Sequence, residues 1–95
     1  MVRSYEMMAI IDPAVEDHSV EVKAIEELIV NHGGEVTKTD VWGKRRFAYE
    51  IDKKTEGIYV VFEYKANPDQ LTEVARLLGL RPMVIRHMSI CRDEK

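Results

Sequence analysis

The chain has 95 residues, of which 45% are hydrophobic and 33% are charged, and this length predicts one small domain over residues 1–95. Its 14 Lys and Arg against 17 Asp and Glu give a formal net charge of −3, which excludes a protein that coats nucleic acid by bulk positive charge. The single cysteine, Cys91, excludes an internal disulfide and favours a reducing compartment. The longest apolar run, Met7 to Ile11, is far shorter than the ~18 residues of a spanning helix, and no signal peptide is apparent. We therefore expect a cytoplasmic protein without a membrane partner.

The first half of the chain predicts a strand, a helix and a long second strand. Arg3–Ile11 is rich in Met, Ile and Tyr and stops at an Asp-Pro pair, which indicates a strand that ends in a turn. From Asp17 onward, apolar side chains recur at helical spacing, and Gly33-Gly34 then ends the helix as a left-handed cap. The members of this helical stripe are Val22, Ile25, Leu28, Ile29 and His32. Val36–Ile51 has β-branched and aromatic residues without helical periodicity, so it predicts a second strand.

The second half predicts a hairpin, a second helix and a last strand. Residues 52–57 are polar and end in glycine, as in a connector, and Ile58–Lys65 then resumes the strand pattern. Asn67-Pro68 is typical of a helix start, with Asn67 as the cap. The helix ends at Gly79, and its stripe consists of Leu71, Val74, Ala75 and Leu78. Val84–Cys91 predicts the fourth strand, followed by a short charged tail at 92–95.

This β-α-β-β-α-β order predicts an α+β fold of the ferredoxin-like type, with a four-stranded antiparallel sheet and both helices on one of its faces. The uncovered face should be polar if nothing binds it. The strands instead have apolar side chains in both alternating sets, and Glu6 and Glu63 mark the uncovered set. That set forms an apolar belt of Met8, Ile10, Tyr59, Val61, Met88 and Ile90. Such a belt is typical of a docking surface, although scattered exposed apolar residues are common on any protein.

Catalytic and cofactor-binding motifs are not apparent in the sequence. It has no nucleophile elbow, no phosphate-binding glycine loop with lysine and no pair of metal ligands at a suitable spacing. The three histidines, His18, His32 and His87, lack a ligand partner at i+4. We therefore expect no catalytic residue, no cofactor, no metal and no small-molecule substrate.

The densest basic site is Lys44-Arg45-Arg46, with Trp42 before it and Phe47 and Tyr49 after it. Arginine can pair with phosphate and stack on bases or aromatic rings, so this stretch suits RNA or an acidic partner. An edge strand that uses charge to prevent aggregation explains it equally well. A bulge at Gly43 would change which of these side chains share a face.

The block Trp42-Gly43-Lys44-Arg45-Arg46-Phe47-Ala48-Tyr49 resembles the bacterial small-subunit ribosomal protein S6 family. The likeness covers essentially the full length in order and spacing. Its other matching segments are Tyr5-Glu6, Asp12-Pro13, Gly34, Gly57-Ile58-Tyr59 and Ile85-Arg86-His87-Met88. Phe47 and Glu50 replace a leucine and a proline that are usual in the block. A local bend of the strand at this point is therefore not implied by the resemblance.

The resemblance implies a structural protein of the cytoplasmic ribosome, without catalysis, that joins ribosomal protein S18. It implies that the protein binds the central domain of 16S ribosomal RNA during assembly. The RNA contacts that it implies are Lys44, Arg45, Arg46 and Arg86, with Arg3 as a weaker candidate. The implied contacts to the partner protein are Met8, Ile10, Trp42, Tyr59, Val61 and Met88.

Two other functions fit the same predicted fold. An independent RNA-recognition module would have a strand like Lys-Gly-Phe-Gly-Phe-Val, whose rings stack on bases. The stretch Glu56 to Val61 keeps the glycine and the final valine but lacks the basic start and the rings at their positions. An enzyme or small-ligand sensor is the third possibility, because fold does not dictate function, and the sequence nominates no reacting groups for it.

Overall fold

Six elements follow one another along the chain, and the computed structural model describes residues 2–51 and 54–92, with side chains at all of these positions except 47–51 and 54. The elements are β1 (Arg3–Ile11), α1 (His18–Asn31), β2 (Glu35–Ile51), β3 (Lys54–Ala66), α2 (Pro68–Gly79) and β4 (Val84–Cys91). The predicted bounds of β1 and β4 are confirmed. The predicted charged tail beyond Arg92, the centre of the β2–β3 connection and the rings of Phe47 and Tyr49 lie outside the described residues.

The four strands form one antiparallel sheet in the order β2-β3-β1-β4, so β1 and β3 are central. Met7 of β1 lies opposite Phe62 of β3 and Ser89 of β4. Side chains of this alternate set pack with both helices in one buried cluster. Its largest fully buried members are Met7, Ile11, Ile25, Ile29, Val60, Phe62, Tyr64 and Leu78. Both helices therefore cover the same face, which confirms the predicted ferredoxin-like class.

Helix α1 begins directly after Asp17, where the sequence predicts that helical spacing starts, and it ends before Gly33, the predicted glycine cap. The Asp17 carboxylate accepts a hydrogen bond from the Ser19 hydroxyl at 2.7 Å and from the Ser19 amide at 3.1 Å. These bonds hold the pKa of Asp17 below its usual value. At the other end Gly33 has a φ of +87°, the left-handed conformation that stops a helix.

Helix α2 is capped by Asn67, whose side chain accepts a hydrogen bond from the Asp69 amide at 3.1 Å. The loop after α2 is tied to α1 by an ion pair. The Arg81 guanidinium donates two hydrogen bonds, of 2.9 and 3.1 Å, to the two carboxylate oxygens of Glu21, and these bonds raise the pKa of Arg81. Because Glu21 is buried and Arg81 precedes β4 by three residues, this pair fixes the point at which β4 enters the sheet.

The connection between β2 and β3 is shorter than the sequence predicts. The sequence predicts a connector over residues 52–57, but β3 begins at Lys54, so that prediction is wrong for residues 54–57. Glu56 lies opposite Arg46 within the ladder. Its carboxylate oxygens are 3.8 Å from Lys44 Nζ and 4.0 Å from an Arg46 guanidinium nitrogen. Ladder hydrogen bonds use only backbone groups, and opposite charges on neighbouring strands attract, so this polar sequence pairs as a strand.

Gly34→Ala tests the close approach between α1 and the sheet. A Cβ at position 34 would lie 2.6 Å from Ile29 Cγ2 and 3.2 Å from the Lys65 carbonyl oxygen. We expect the free energy of unfolding to fall by about 1–3 kcal/mol, because the backbone must shift to admit the methyl group. Gly79→Ala is the matched control, since nothing lies within 4 Å of its Cβ; it should raise stability by up to about 1 kcal/mol. Urea unfolding measures both, and an unchanged midpoint for Gly34→Ala would contradict the close approach.

Candidate interaction surface

The sheet face opposite the helices, called the open face below, is built from three rows of side chains that run across the four strands. The basic row, from β4 to β2, consists of Arg86, Ile10, Tyr59 and Gly43. The apolar row consists of Met88, Met8, Val61 and Asp40. The acidic row consists of Ile90, Glu6, Glu63 and Lys38. Directly opposed residues share a face in an antiparallel sheet, so the predicted apolar belt lies on one face.

The members of this belt differ in how much of them a partner can reach. Met88 and Ile90, on the edge strand β4, are 58% and 57% exposed, and Trp42 is 44% exposed. Ile10 and Val61 are only 8% and 6% exposed, because they lie on central strands with neighbours on both sides. The sequence pattern does not distinguish the exposed residues from the buried ones. A partner on this face would contact mainly Met88, Ile90 and Trp42.

Trp42 lies on the open face at a β-bulge. The pairing of β2 with β3 shifts register between Val41 and Gly43, and Gly43 has a φ of +94°, a value that glycine adopts without steric cost. Trp42 lies at this shift, and its Nε1 donates a hydrogen bond of 3.3 Å to Oδ2 of Asp40. The bulge also changes the alternation of every β2 residue that follows it.

As a result, the three basic residues of β2 do not form one patch. Arg45 lies opposite Gly57 and belongs to the open face. Lys44 and Arg46 belong to the other face, where both lie within 4.0 Å of the Glu56 carboxylate. β2 is an edge strand, so protection of the edge by charge remains a sufficient explanation for these two side chains.

The structure separates the other two basic candidates from each other. Arg86 ends the basic row at the sheet edge, and within residues 2–51 and 54–92 its guanidinium forms no ion pair. Arg3 lies opposite Ala66, on the helix-covered side. Along β1 it is about 24 Å from Ile10, at ~3.4 Å per residue. Arg3 and Arg86 therefore do not share a binding site.

The acidic row contains charges that sequence reasoning did not assign to a site. Glu6 and Glu63 are directly opposed, and like charges in this position destabilise a sheet. Arg92 offsets their repulsion, because its guanidinium lies 3.4 Å from Glu6 Oε1 and 3.7 Å from Glu63 Oε2. Together with Asp40 and Lys38 on β2, this end of the face holds three carboxylates against two cations. Arg92 falls in the predicted tail, so only the strand register could reveal its position.

A small cavity of about 120 Å³ opens on this face. It is lined by Glu6, Met8, Trp42, Val61, Met88 and Ile90. Its walls are apolar apart from the carboxylate of Glu6 and the indole N–H of Trp42. A wider groove of about 490 Å³ lies between α1 and β2 on the helix side, but it includes none of the residues predicted to contact RNA or a partner.

The described residues offer no metal-binding cluster, and their one phenol with a raised pKa is a packing residue. Within 2–51 and 54–92, no three His, Cys, Asp or Glu side chains are placed to hold a metal ion. Over the same residues, no helix has both the length and the apolar character needed to cross a membrane. Burial raises the pKa of the Tyr64 phenol, whose oxygen lies 3.2 Å from Ser89 Oγ. Tyr64 lies on the helix-covered face and stacks on Tyr5, so its role is in packing.

An apolar sheet face with charges at both ends, on a ferredoxin-like sandwich, defines a class of protein that acts by binding other macromolecules. The family model for ribosomal protein S6 matches residues 4–91 of the chain. The chain belongs to the ribosomal protein S6 family.

Individual relatives agree with this family over nearly their whole length. The small ribosomal subunit protein bS6 of Acidothermus cellulolyticus is 49% identical over 95 residues, which cover 98% of this chain and 99% of that protein. The bS6 protein of an Arthrobacter species is 47% identical and is covered to 93%. The crystal structure of 30S ribosomal protein S6 from Thermotoga maritima matches 97% of this chain and 89% of its own, with a TM-score of 0.89 and 33% identity. The C-terminal domain of MgtC from Mycobacterium tuberculosis, at 12% identity and a TM-score of 0.66, shares the fold alone.

The family establishes the general role of the chain. It is a structural protein of the small ribosomal subunit and not an enzyme, and it acts in translation in the bacterial cytoplasm. Its surroundings are those of a ribonucleoprotein, so ribosomal RNA and other ribosomal proteins are its partners. The family expected from the tryptophan-to-tyrosine block is therefore confirmed.

Proposed function

We propose that this chain pairs with ribosomal protein S18 through its open face, and that the pair binds the central domain of 16S ribosomal RNA during assembly of the small subunit. The observation that carries this proposal is the layout of the open face. Its centre is apolar, and two arginines, Arg86 and Arg45, lie at one end of it. A protein and an RNA can therefore occupy neighbouring parts of the same face.

The apolar row favours a protein as the occupant of the centre. Met88 and Ile90 are more than half exposed and Trp42 is nearly half exposed, which leaves apolar surface in contact with water. Aromatic residues and Met are enriched in protein interfaces. Phosphate groups gain nothing from apolar surface, and Met88 and Ile90 offer no ring on which a base could stack.

The basic end of the face, formed by Arg86 and Arg45, favours RNA as its occupant. Arg86 and Arg45 are exposed, and strand spacing places them roughly 15 Å apart, so each can reach a different phosphate. The formal net charge of −3 means that this chain neutralises few phosphates by itself. RNA affinity should therefore depend on cations that the protein partner contributes.

The decisive experiment compares RNA binding with and without S18. We expect calorimetry or gel shifts at about 150 mM salt to show at least about tenfold tighter binding of a central-domain 16S fragment when S18 is present. Tight binding by this chain alone, unchanged by S18, would contradict the proposal. It would favour an independent RNA-recognition module, and loss of that binding in Tyr59→Ala would identify base stacking as its cause.

Met88→Glu tests the open face as the protein interface. We expect the affinity for S18 to fall at least tenfold, because the change removes an apolar side chain from the interface and requires a second carboxylate to be desolvated near that of Glu6, which costs more than about 1.4 kcal/mol. The matched control is Val41→Glu, also on an edge strand and 44% exposed, but opposite the core residue Val60 and so on the other face. Both variants should unfold within about 1 kcal/mol of the parent. Equal losses of S18 binding in both variants would place the interface elsewhere.

Arg86→Ala tests the basic end of the face. In the complex with S18, we expect weaker RNA binding and a plot of log affinity against log salt that is less steep by about one, as for the loss of one phosphate contact. Arg76→Ala is the control, because Arg76 is an exposed arginine on α2 that pairs with Glu73. Its salt dependence should match that of the parent protein. An unchanged slope in Arg86→Ala would remove Arg86 from the RNA interface.

A further inference from the structure

The cavity on the open face points to one particular kind of side chain on the protein partner. We propose that this cavity, called the socket below, receives an arginine or lysine side chain of S18, with its carbon stem between the apolar walls and its cation between Trp42 and Glu6. This inference rests on the proposed pairing with S18. It goes beyond that pairing because it names the chemistry of the contact at the centre of the interface.

The walls of the socket suit the stem of a long basic side chain. They are formed mainly by Met8, Val61, Met88 and Ile90. Lys and Arg bury their methylene groups against apolar surface while their charged ends reach polar groups. The volume of about 120 Å³ is that of a single side chain, so a helix does not fit inside it.

Trp42 supplies an aromatic surface to the socket. Its hydrogen bond to Asp40, 3.3 Å from Nε1 to Oδ2, orients the indole ring, and the ring lines the socket. A cation above an indole is attracted by the negative charge of the ring face, and tryptophan binds cations better than other aromatic residues. Asp40, on the same side as the ring, adds a second source of attraction for a cation.

Glu6 supplies the charge that selects a cation. Its carboxylate lines the socket, next to Glu63 on the neighbouring strand. Arg92 contacts both carboxylates, but it lies outside the socket, and one guanidinium cannot neutralise two carboxylates. With Asp40 counted beside Glu6 and Glu63, three carboxylates face two cations, Arg92 and Lys38, so this end of the face carries a net negative charge. An acidic side chain or a phosphate is therefore repelled, and an incoming cation finds a carboxylate that is already desolvated in part by apolar neighbours.

The only tryptophan of the chain lies in the socket, so its fluorescence reports occupancy directly. Titration of S18 into the full chain should change the Trp42 emission at the same concentrations at which calorimetry detects binding.

Two variants of this chain test the ring and the charge of the socket. Trp42→Leu keeps an apolar wall but loses the ring, and Glu6→Gln keeps the shape but loses the charge. We expect each to weaken S18 binding about 3- to 30-fold. Glu73→Gln, on the surface of α2, is the control for loss of one negative charge and should bind S18 like the parent.

The partner side is tested by replacing each Arg and Lys of S18 by Met, which keeps an apolar stem and removes the charge. One such S18 variant should bind the parent chain more weakly than unaltered S18 does. The same S18 change should weaken binding to the Glu6→Gln chain much less, because the two changes remove the same contact.

If S18 binds but Glu6→Gln and every S18 Met variant leave affinity unchanged while Trp42→Leu weakens it, the occupant is apolar and the inference is wrong. Unchanged binding by all variants, with no change in Trp42 emission, would also overturn it. If S18 does not bind the parent chain, the pairing itself fails, and that result is distinct from the other two.

Discussion

The structure depends on the pairing of β1 with a strand on each side. Because β3 and β4 both hydrogen-bond to β1, its alternate side chains are confined to two faces. Met7, Ala9 and Ile11 are fully buried beneath the helices. Met8 and Ile10 are held on the open face, where no helix covers them. The helices can bury only one apolar set, so a strand that is apolar on both faces leaves a surface for a second macromolecule.

The bulge at Gly43 decides how charge is distributed around that surface. It reverses the alternation of β2, so Arg45 joins the open face while Lys44 and Arg46 lie behind it. Trp42 and Asp40 share the open face by ordinary strand alternation ahead of the bulge, and they are hydrogen-bonded there. One glycine with positive φ thereby places an arginine at the end of the open face and two other basic side chains behind it.

The two ends of the open face carry opposite charge, and this separation organises the interactions that we propose. Arg86 and Arg45 at the basic end attract phosphate, whereas Glu6 and Glu63 at the other end repel it. A protein partner that covers the apolar row and the acidic row leaves the basic end accessible to RNA. The face can thus direct two partners to different places without a deep cavity, which fits a chain of 95 residues with a thin core.

The sequence by itself determined the order of the elements, the two-sided apolar pattern of β1 and the caps at Gly33 and Asn67, because these depend on local spacing and local hydrogen bonds. It also determined the family, through a block of adjacent residues. Only the tertiary structure decided the bulge register, the split of the basic block, the bridge from Arg92 to the two glutamates and the low exposure of the central strands. The physical reason is that these features depend on which residues of different strands are opposed, and a change of one residue in register moves a side chain to the other face.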